Sequence, residues 1–124
     1  RSRGLGDVYK RQVYEAGNKI EAYGVMSLGA GEAHILTLVV QKASRGKGLG
    51  SLMLQHMLAI AEHFRATVVL LEVRPSNRVA IHLYEKMGFS EVGIRPNYYP
   101  ATHGREDALI MALSLVKNQS DFQD

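Results

Sequence analysis

The sequence predicts an α/β fold built on a mixed sheet, and three observations predict it. A strand-like apolar run at residues 36–40 enters the glycine-rich turn Arg45-Gly46-Lys47-Gly48-Leu49-Gly50, and an amphipathic helix leaves it. Residues 66–73 form a near-continuous run rich in Val and Leu, as expected of a strand covered on both faces. Strand, turn, helix and strand in that order make a right-handed parallel crossover, and the flanking segments read as hairpins.

Each element has its own signal. Residues 13–16 and 21–28 read as a hairpin around Gly17-Asn18-Lys19, and residues 33–40 make the next strand after the Gly29-Ala30-Gly31 turn. In the helix at 49–64, Leu49, Met53, Met57, Ile60 and Phe64 lie on one stripe, which Leu54, Leu58 and Ala61 widen. Pro75-Ser76-Asn77 offers an N-cap for a second helix, with Val79, Ala80, Leu83, Tyr84 and Met87 as its buried stripe and Gly88 at its C′ position. Residues 89–95 and 107–115 close as two strands around a 97–106 loop.

Composition sets the bounds. A chain of 124 residues with 46% hydrophobic content reads as one soluble domain with a real core. The absence of cysteine excludes disulfides, a thiolate-held metal and a Cys nucleophile, and suits a reducing cytoplasm, where we expect the protein to work. No apolar run reaches the length of a membrane span and no signal peptide is visible, so no membrane partner is expected. His34, His56, His63, His82 and His103 show no metal-like spacing; they read as ordinary surface or core histidines, and no metal is expected.

Residues 1–12 start without Met, show no apolar period and resemble a translated sequencing-adapter tail. We expect them to be non-native and the domain to occupy 13–116, with 117–124 a polar, frayed tail. The first 12 residues hold four of the 15 Lys+Arg and one of the 12 Asp+Glu, which leaves 11 of each beyond them. The pI of about 9.3 therefore comes from that segment and argues for no nucleic-acid-binding face.

The glycine-rich turn carries the chemistry. Glycines let the backbone approach a ligand, and the unpaired N–H groups of the following helix suit phosphate oxygens. A P-loop fails, because no lysine here stands before a Ser or Thr in the required pattern. A dinucleotide fingerprint counted from Gly46 ends on Ser51, and Glu72 lies too far on to serve as its acidic residue. The pattern that fits is Arg-x-x-Gly-x-Gly at Arg45, Gly48 and Gly50, which resembles the acetyl-CoA pyrophosphate loop of the GNAT superfamily of N-acetyltransferases. Leu71-Glu72-Val73-Arg74, Ser76-Asn77, Ala80-Ile81, Leu83-Tyr84-Glu85 and Met87-Gly88-Phe89 are similar to the second half of that fold. Asn97-Tyr98-Tyr99-Pro100 and Gly104-Arg105-Glu106-Asp107-Ala108 narrow the likeness to the ribosomal-protein-alanine branch, over residues 13–115.

The resemblance implies the GNAT acetyl-CoA-binding fold, a mixed, mostly antiparallel sheet whose one parallel pair is joined by the cofactor-binding helix. By the same comparison a first strand and two helices are missing, leaving the strand near Val13 as an open edge. It implies acetyl-CoA as cosubstrate and a protein N-terminus, the alanine of a small-subunit ribosomal protein, as acceptor. A free α-amine has a pKa of about 7.7–8.0, so attack needs a base. Glu72, a carboxylate in an otherwise apolar strand, is that candidate; the other reading has it facing solvent or paired with Arg74. Tyr84 is the candidate acid toward the CoA sulfur, or else a core tyrosine. By resemblance the main-chain N–H groups of Leu38, Val39 and Val40 stabilise the oxyanion, though the run reads equally as core. Arg45, Gly46, Lys47, Gly48, Leu49 and Gly50 would hold the phosphates, with Lys47 alternatively a solvated loop residue. Asn77 would reach the CoA arm, cap the helix, or both. Asn97, Tyr98 and Tyr99 look like the acceptor side, and Arg105-Glu106-Asp107 reads as fixing that loop to the last strand. A non-catalytic CoA-binding fragment and a small-amine acetyltransferase remain as alternatives.

Overall fold

The computed structural model describes residues 8–16 and 19–116. Six strands and two helices follow in the order β1 (Val8–Ala16), β2 (Lys19–Gly29), β3 (Glu32–Val40), α1 (Leu49–His63), β4 (Val68–Val73), α2 (Arg78–Lys86), β5 (Ser90–Ala101) and β6 (Gly104–Ser114), with a 3₁₀ turn at Lys42–Ser44 before α1. The strands form one sheet in the order β1-β2-β3-β4-β6-β5. Among the described residues only β3 and β4 run parallel, and α1 joins them. The Gly17-Asn18 turn, residues 1–7 and the 117–124 tail lie outside the described residues.

Alternation along the strands sends one face of the sheet under the helices. Met26, Ala33, Ile35, Val69, Leu71, Leu109 and Met111 lie on that face, packed against Leu54, Met57 and Ala61 of α1 and Ile81 and Tyr84 of α2. Each large side chain buried there is worth about 1.5–3 kcal/mol. Gly24 of β2 belongs to the same contact, since a Cβ on it would meet Met57 Sδ at 2.6 Å.

The crossover parts the sheet. β3 and β4 pair only from Glu32↔Val68 to Ile35↔Leu71. At the same place the β2–β3 register shifts, so that Met26 faces Ile35 but Val25 faces Thr37, with Leu36 the extra residue. Such a bulge bends the strand that carries it. Beyond it β3 stays with β2 through Val40 and leaves β4 without a neighbour on that side. The resulting fork is the floor of the site.

Several boundaries differ from the sequence reading, each for a local reason. β1 starts at Val8, five residues before the expected Val13, and its residues 8–12 pair in register with β2 from Leu28 to Gly24. Backbone pairing on a sheet edge needs no apolar period, which is why the pattern gave no sign of it. β4 starts at Val68 instead of 66, because α1 ends in a Schellman turn: Arg65 donates to Glu62 O and Ala66 to Ala61 O, with Arg65 at φ 64°. Moreover β4 alternates between buried and half-buried residues, so it is covered on one face among the described residues and not on two. Val79 is 84% exposed and Phe64 46%, so neither is core; Ile81 takes the buried place on α2. The 97–106 loop is mostly strand, since β5 and β6 continue to Ala101 and from Gly104.

Candidate active site

The turn before α1 is built to receive an anion. Gly46 and Gly48 stand at φ 84° and 79°, and a Cβ on either would meet nothing within 4 Å, so the space beside them is open. Gly48 is the N-cap and makes no side-chain cap hydrogen bond; the helix ladder begins with the Leu52 N–H on Gly48 O at 3.1 Å. The N–H groups of the first turn are therefore left for a ligand. Ser44, buried, donates its hydroxyl to Glu21 Oε1 at 2.7 Å and the Gln41 N–H donates to Glu21 O at 2.8 Å, which ties the turn to β2. A cleft of about 610 Å³ opens here, bordered by Leu38, Val39, Val40, Arg45, Gly46, Gly48, Leu49, Gly50 and Asn77, together with Ser51, Val79, Ala80, Leu83 and Tyr84. Those open glycines and uncapped N–H groups fit a pyrophosphate.

Lys47 does not border this cleft; its ammonium lies 3.9 Å from Glu21 Oε1. Arg45 does, with its Nε donating to Val40 O at 3.2 Å. Asn77 caps α2, accepting the Ala80 N–H at 3.2 Å, and borders the cleft as well. Capping engages its oxygen, so its NH₂ is the part that can reach a ligand.

A second cleft, of about 280 Å³, adjoins the first and shares Leu38, Val39, Asn77, Ala80 and Tyr84 with it. Glu72, Arg74 and Tyr99 border it too. Glu72 projects from the face of β4 opposite Val69, Leu71 and Val73, with its side chain only 14% exposed. It pairs not with Arg74 but with His34 Nε2 at 3.0 Å on Oε1 and an Arg95 guanidinium nitrogen at 3.5 Å on Oε2. Tyr84 is fixed by the end of α2, where Phe89 donates to Tyr84 O and Gly88, at φ 104°, donates to Glu85 O. The Tyr84 and Phe89 rings then lie 5.7 Å apart, the contact this cap favours. Burial first, and Tyr99 second, push the Tyr84 phenol above its ordinary value of 10.0, so it holds its proton at neutral pH.

The acceptor side is a hairpin arm. Asn97 sits at φ 55° next to Pro96, where the β5–β6 register shifts between Arg95 and Tyr99. Arg105 donates to Asn97 O and Tyr98 O, each at 2.8 Å, and Asp107 accepts the Asn97 N–H at 3.0 Å. Glu106 accepts from Ser76 N–H at 2.9 Å, from its hydroxyl and from Arg74, and those Ser76 bonds chiefly hold its carboxyl below the usual range. Of the three residues expected on this side, Tyr99 borders the cleft; Asn97 and Tyr98 do not. The Arg74 guanidinium lies 4.4 Å over the Tyr99 ring and that of Arg95 lies 5.0 Å over Tyr98. Burial and then Glu72 raise the Tyr99 phenol, against the pull of both arginines.

Sequence reasoning missed His34 and Arg95. His34 is 38 residues from Glu72 in the chain, and only the β3–β4 register brings them together. Leu83 and Val79 were missed as cleft residues because an apolar residue on a helix reads as core. Among the described residues no group of three His, Asp or Glu side chains could hold a metal ion, and no helix is long and apolar enough to cross a membrane.

Comparison with known proteins follows the same lines. Residues 8–89 match the family model described as "Acetyltransferase (GNAT) family". The chain is 39% identical over 110 residues to the ribosomal protein bS18-alanine N-acetyltransferase of Escherichia coli strain K12, covering 89% of this chain and 74% of that protein. It superposes on the crystal structure of the ribosomal-protein-S18-alanine N-acetyltransferase from Escherichia coli with a TM-score of 0.83 at 35% identity, over 98% of this chain and 77% of that one. A Bacillus subtilis acetyltransferase solved in complex with CoA shares the fold, with a TM-score of 0.75 at 17% identity over 87% of this chain and 78% of that one.

Proposed function

The chain belongs to the acetyltransferase (GNAT) family, and from that premise we propose that it transfers the acetyl group of acetyl-CoA to the N-terminal alanine of ribosomal protein bS18. The observation that carries this reading is that Glu72 and Tyr84 border one cleft, which runs through Leu38, Val39 and Asn77 into the glycine turn.

Acetyl-CoA bound in the larger cleft supplies a thioester carbonyl, an electrophile whose leaving group is a thiolate. Gly46, Gly48 and the first N–H groups of α1 hold its phosphates, with Arg45 and Asn77 at the sides. Glu72 takes the proton that the alanine ammonium must lose before its nitrogen can attack. The main-chain N–H groups of β3 around residues 38–40 stand where β4 has departed, and offer donors to the negative charge that develops on the carbonyl oxygen. Tyr84 gives its phenolic proton to the departing sulfur, and the second proton, which the nitrogen sheds as the amide forms, goes to solvent, from which Tyr84 is reprotonated. Tyr99 walls the acceptor side, and Tyr98 and Asn97 shape the arm that carries it. We place the reaction in the cytoplasm.

The test is incubation of the chain with acetyl-CoA and a peptide bearing the bS18 N-terminal sequence, read by mass spectrometry. Acetyl on the α-amine supports the reading. Calorimetric CoA binding with no transfer to the peptide would leave a CoA-binding fragment, and transfer to small amines alone would move the acceptor class.

A further inference from the structure

The Glu72 carboxylate sits where the sheet divides, and two side chains outside the cleft reach it, His34 and Arg95. His34 is opposite Leu70 in the parallel ladder, one pair before the last, Ile35↔Leu71. Its backbone is thus held on both sides, by β4 at Leu70 and by β2 at Ser27, while Glu72 lies just past the final pair. Its ring Nε2 is 3.0 Å from Glu72 Oε1. An ionised carboxylate has no proton to give, so Nε2 carries the hydrogen and donates it. His34 does not border the cleft, and its side chain is 31% exposed against 14% for Glu72.

The other carboxylate oxygen faces a competitor. Arg95 stands 3.5 Å from Oε2, half-exposed, with its guanidinium over Tyr98. Without a hold on Oε1 the carboxylate is free to rotate and give both oxygens to that guanidinium, which does not border the cleft. We propose that His34 is a positioning residue for acetyl transfer, holding Glu72 by Oε1 at the fork so that the carboxylate stays in reach of the acceptor amine. This inference rests on Glu72 serving as the base.

The experiment measures kcat and KM from pH 5.5 to 9 with acetyl-CoA and an alanine-starting peptide for the parent chain, His34→Ala, His34→Gln and Glu72→Gln. His34→Ala should lose roughly tenfold or more in kcat, the worth of one hydrogen bond to a charged group, with KM for acetyl-CoA within about twofold. His34→Gln places an amide N–H near the same point, so it should recover most of the rate. Nitrogen-15 spectra of the imidazoles add a readout independent of turnover: the His34 Nε2–H signal should be present in the parent and shift in Glu72→Gln. Parental rate and pH profile in His34→Ala would overturn the inference, as would a rate loss matched by loss of CoA affinity, no recovery in His34→Gln, or an Nε2 signal indifferent to Glu72→Gln. If Glu72→Gln is impaired and His34→Ala is silent, His34 alone falls. If Glu72→Gln turns over at the parental rate, the assignment of the base falls and His34 with it.

Discussion

Tyr84 is a buried phenol, and the role proposed for it requires that it keep its proton until sulfur departs. Its pKa is raised above 10.0, first by burial and then by Tyr99. The folded state therefore binds this proton more tightly than the unfolded state does. Tyr84 contributes stability that is fully present below the unfolded value near 10 and is lost as pH rises through the higher folded one. Melting curves between pH 8 and 11 should show parental stability falling across the upper part of that range, with a shallower fall in Tyr84→Phe. Equal slopes would mean that the phenol is not held away from water. Tyr84 and Glu72, which border one cleft, were legible in the sequence as candidates because each stood inside a matching run of residues. His34 and Arg95 were not, since a polar residue's partner across a sheet depends on register, which no local pattern encodes.

At the level of elements, the site is made by turns and strand ends more than by regular structure. Gly48 holds a left-handed conformation at the mouth of α1, with open space where a Cβ would go. Gly48→Val should cost about 1–2 kcal/mol of stability and weaken CoA binding more than tenfold by calorimetry, because the side chain would strain the turn and fill the cradle. Unchanged affinity would remove this turn from the site. The end of α1 gives a converse case: Arg65 occupies the left-handed position that glycine usually takes, at φ 64°. Arg65→Gly should raise stability by about 0.5–1 kcal/mol in denaturant unfolding, the relief of strain exceeding glycine's entropy cost. Helix caps were readable where a glycine or asparagine marked them, as at Gly88 and Asn77. The start of β4 was misplaced because an arginine holds the left-handed turn that ends α1, and the length of the β5–β6 arm was missed because Asn97, Pro96 and Gly104 look like loop residues although the ladder runs to Ala101↔Gly104.

For the whole molecule, the sheet joins the glycine turn to the β5–β6 arm, and its two edges among the described residues are β1 and β5. The expectation that residues 1–12 stay outside the fold meets β1 from Val8 onward, where they pair with β2. Removing residues 1–12 should lower the melting temperature, by about 4 °C for each kcal/mol of pairing lost. No change on that deletion would mean that β2 needs no neighbour there. The crossover was legible at this scale because strand, glycine turn, helix and strand occur in chain order. The fork that makes the clefts was not, because it depends on a bulge at Leu36, which stands in the mostly apolar run of β3 with nothing to mark it.

The central claim is that Glu72 removes the amine proton and Tyr84 protonates the leaving sulfur in one cleft. The measurement that tests it most directly is the pH–rate profile of the parent, Glu72→Gln and Tyr84→Phe on an alanine-starting peptide. Glu72→Gln should lose something on the order of 10²–10⁴ in rate, with partial recovery at high pH as the amine deprotonates unaided, and with CoA affinity unchanged. Tyr84→Phe should also bind CoA normally but stay slow at every pH. Parental rates for both variants across the range would contradict the account and leave solvent carrying both protons.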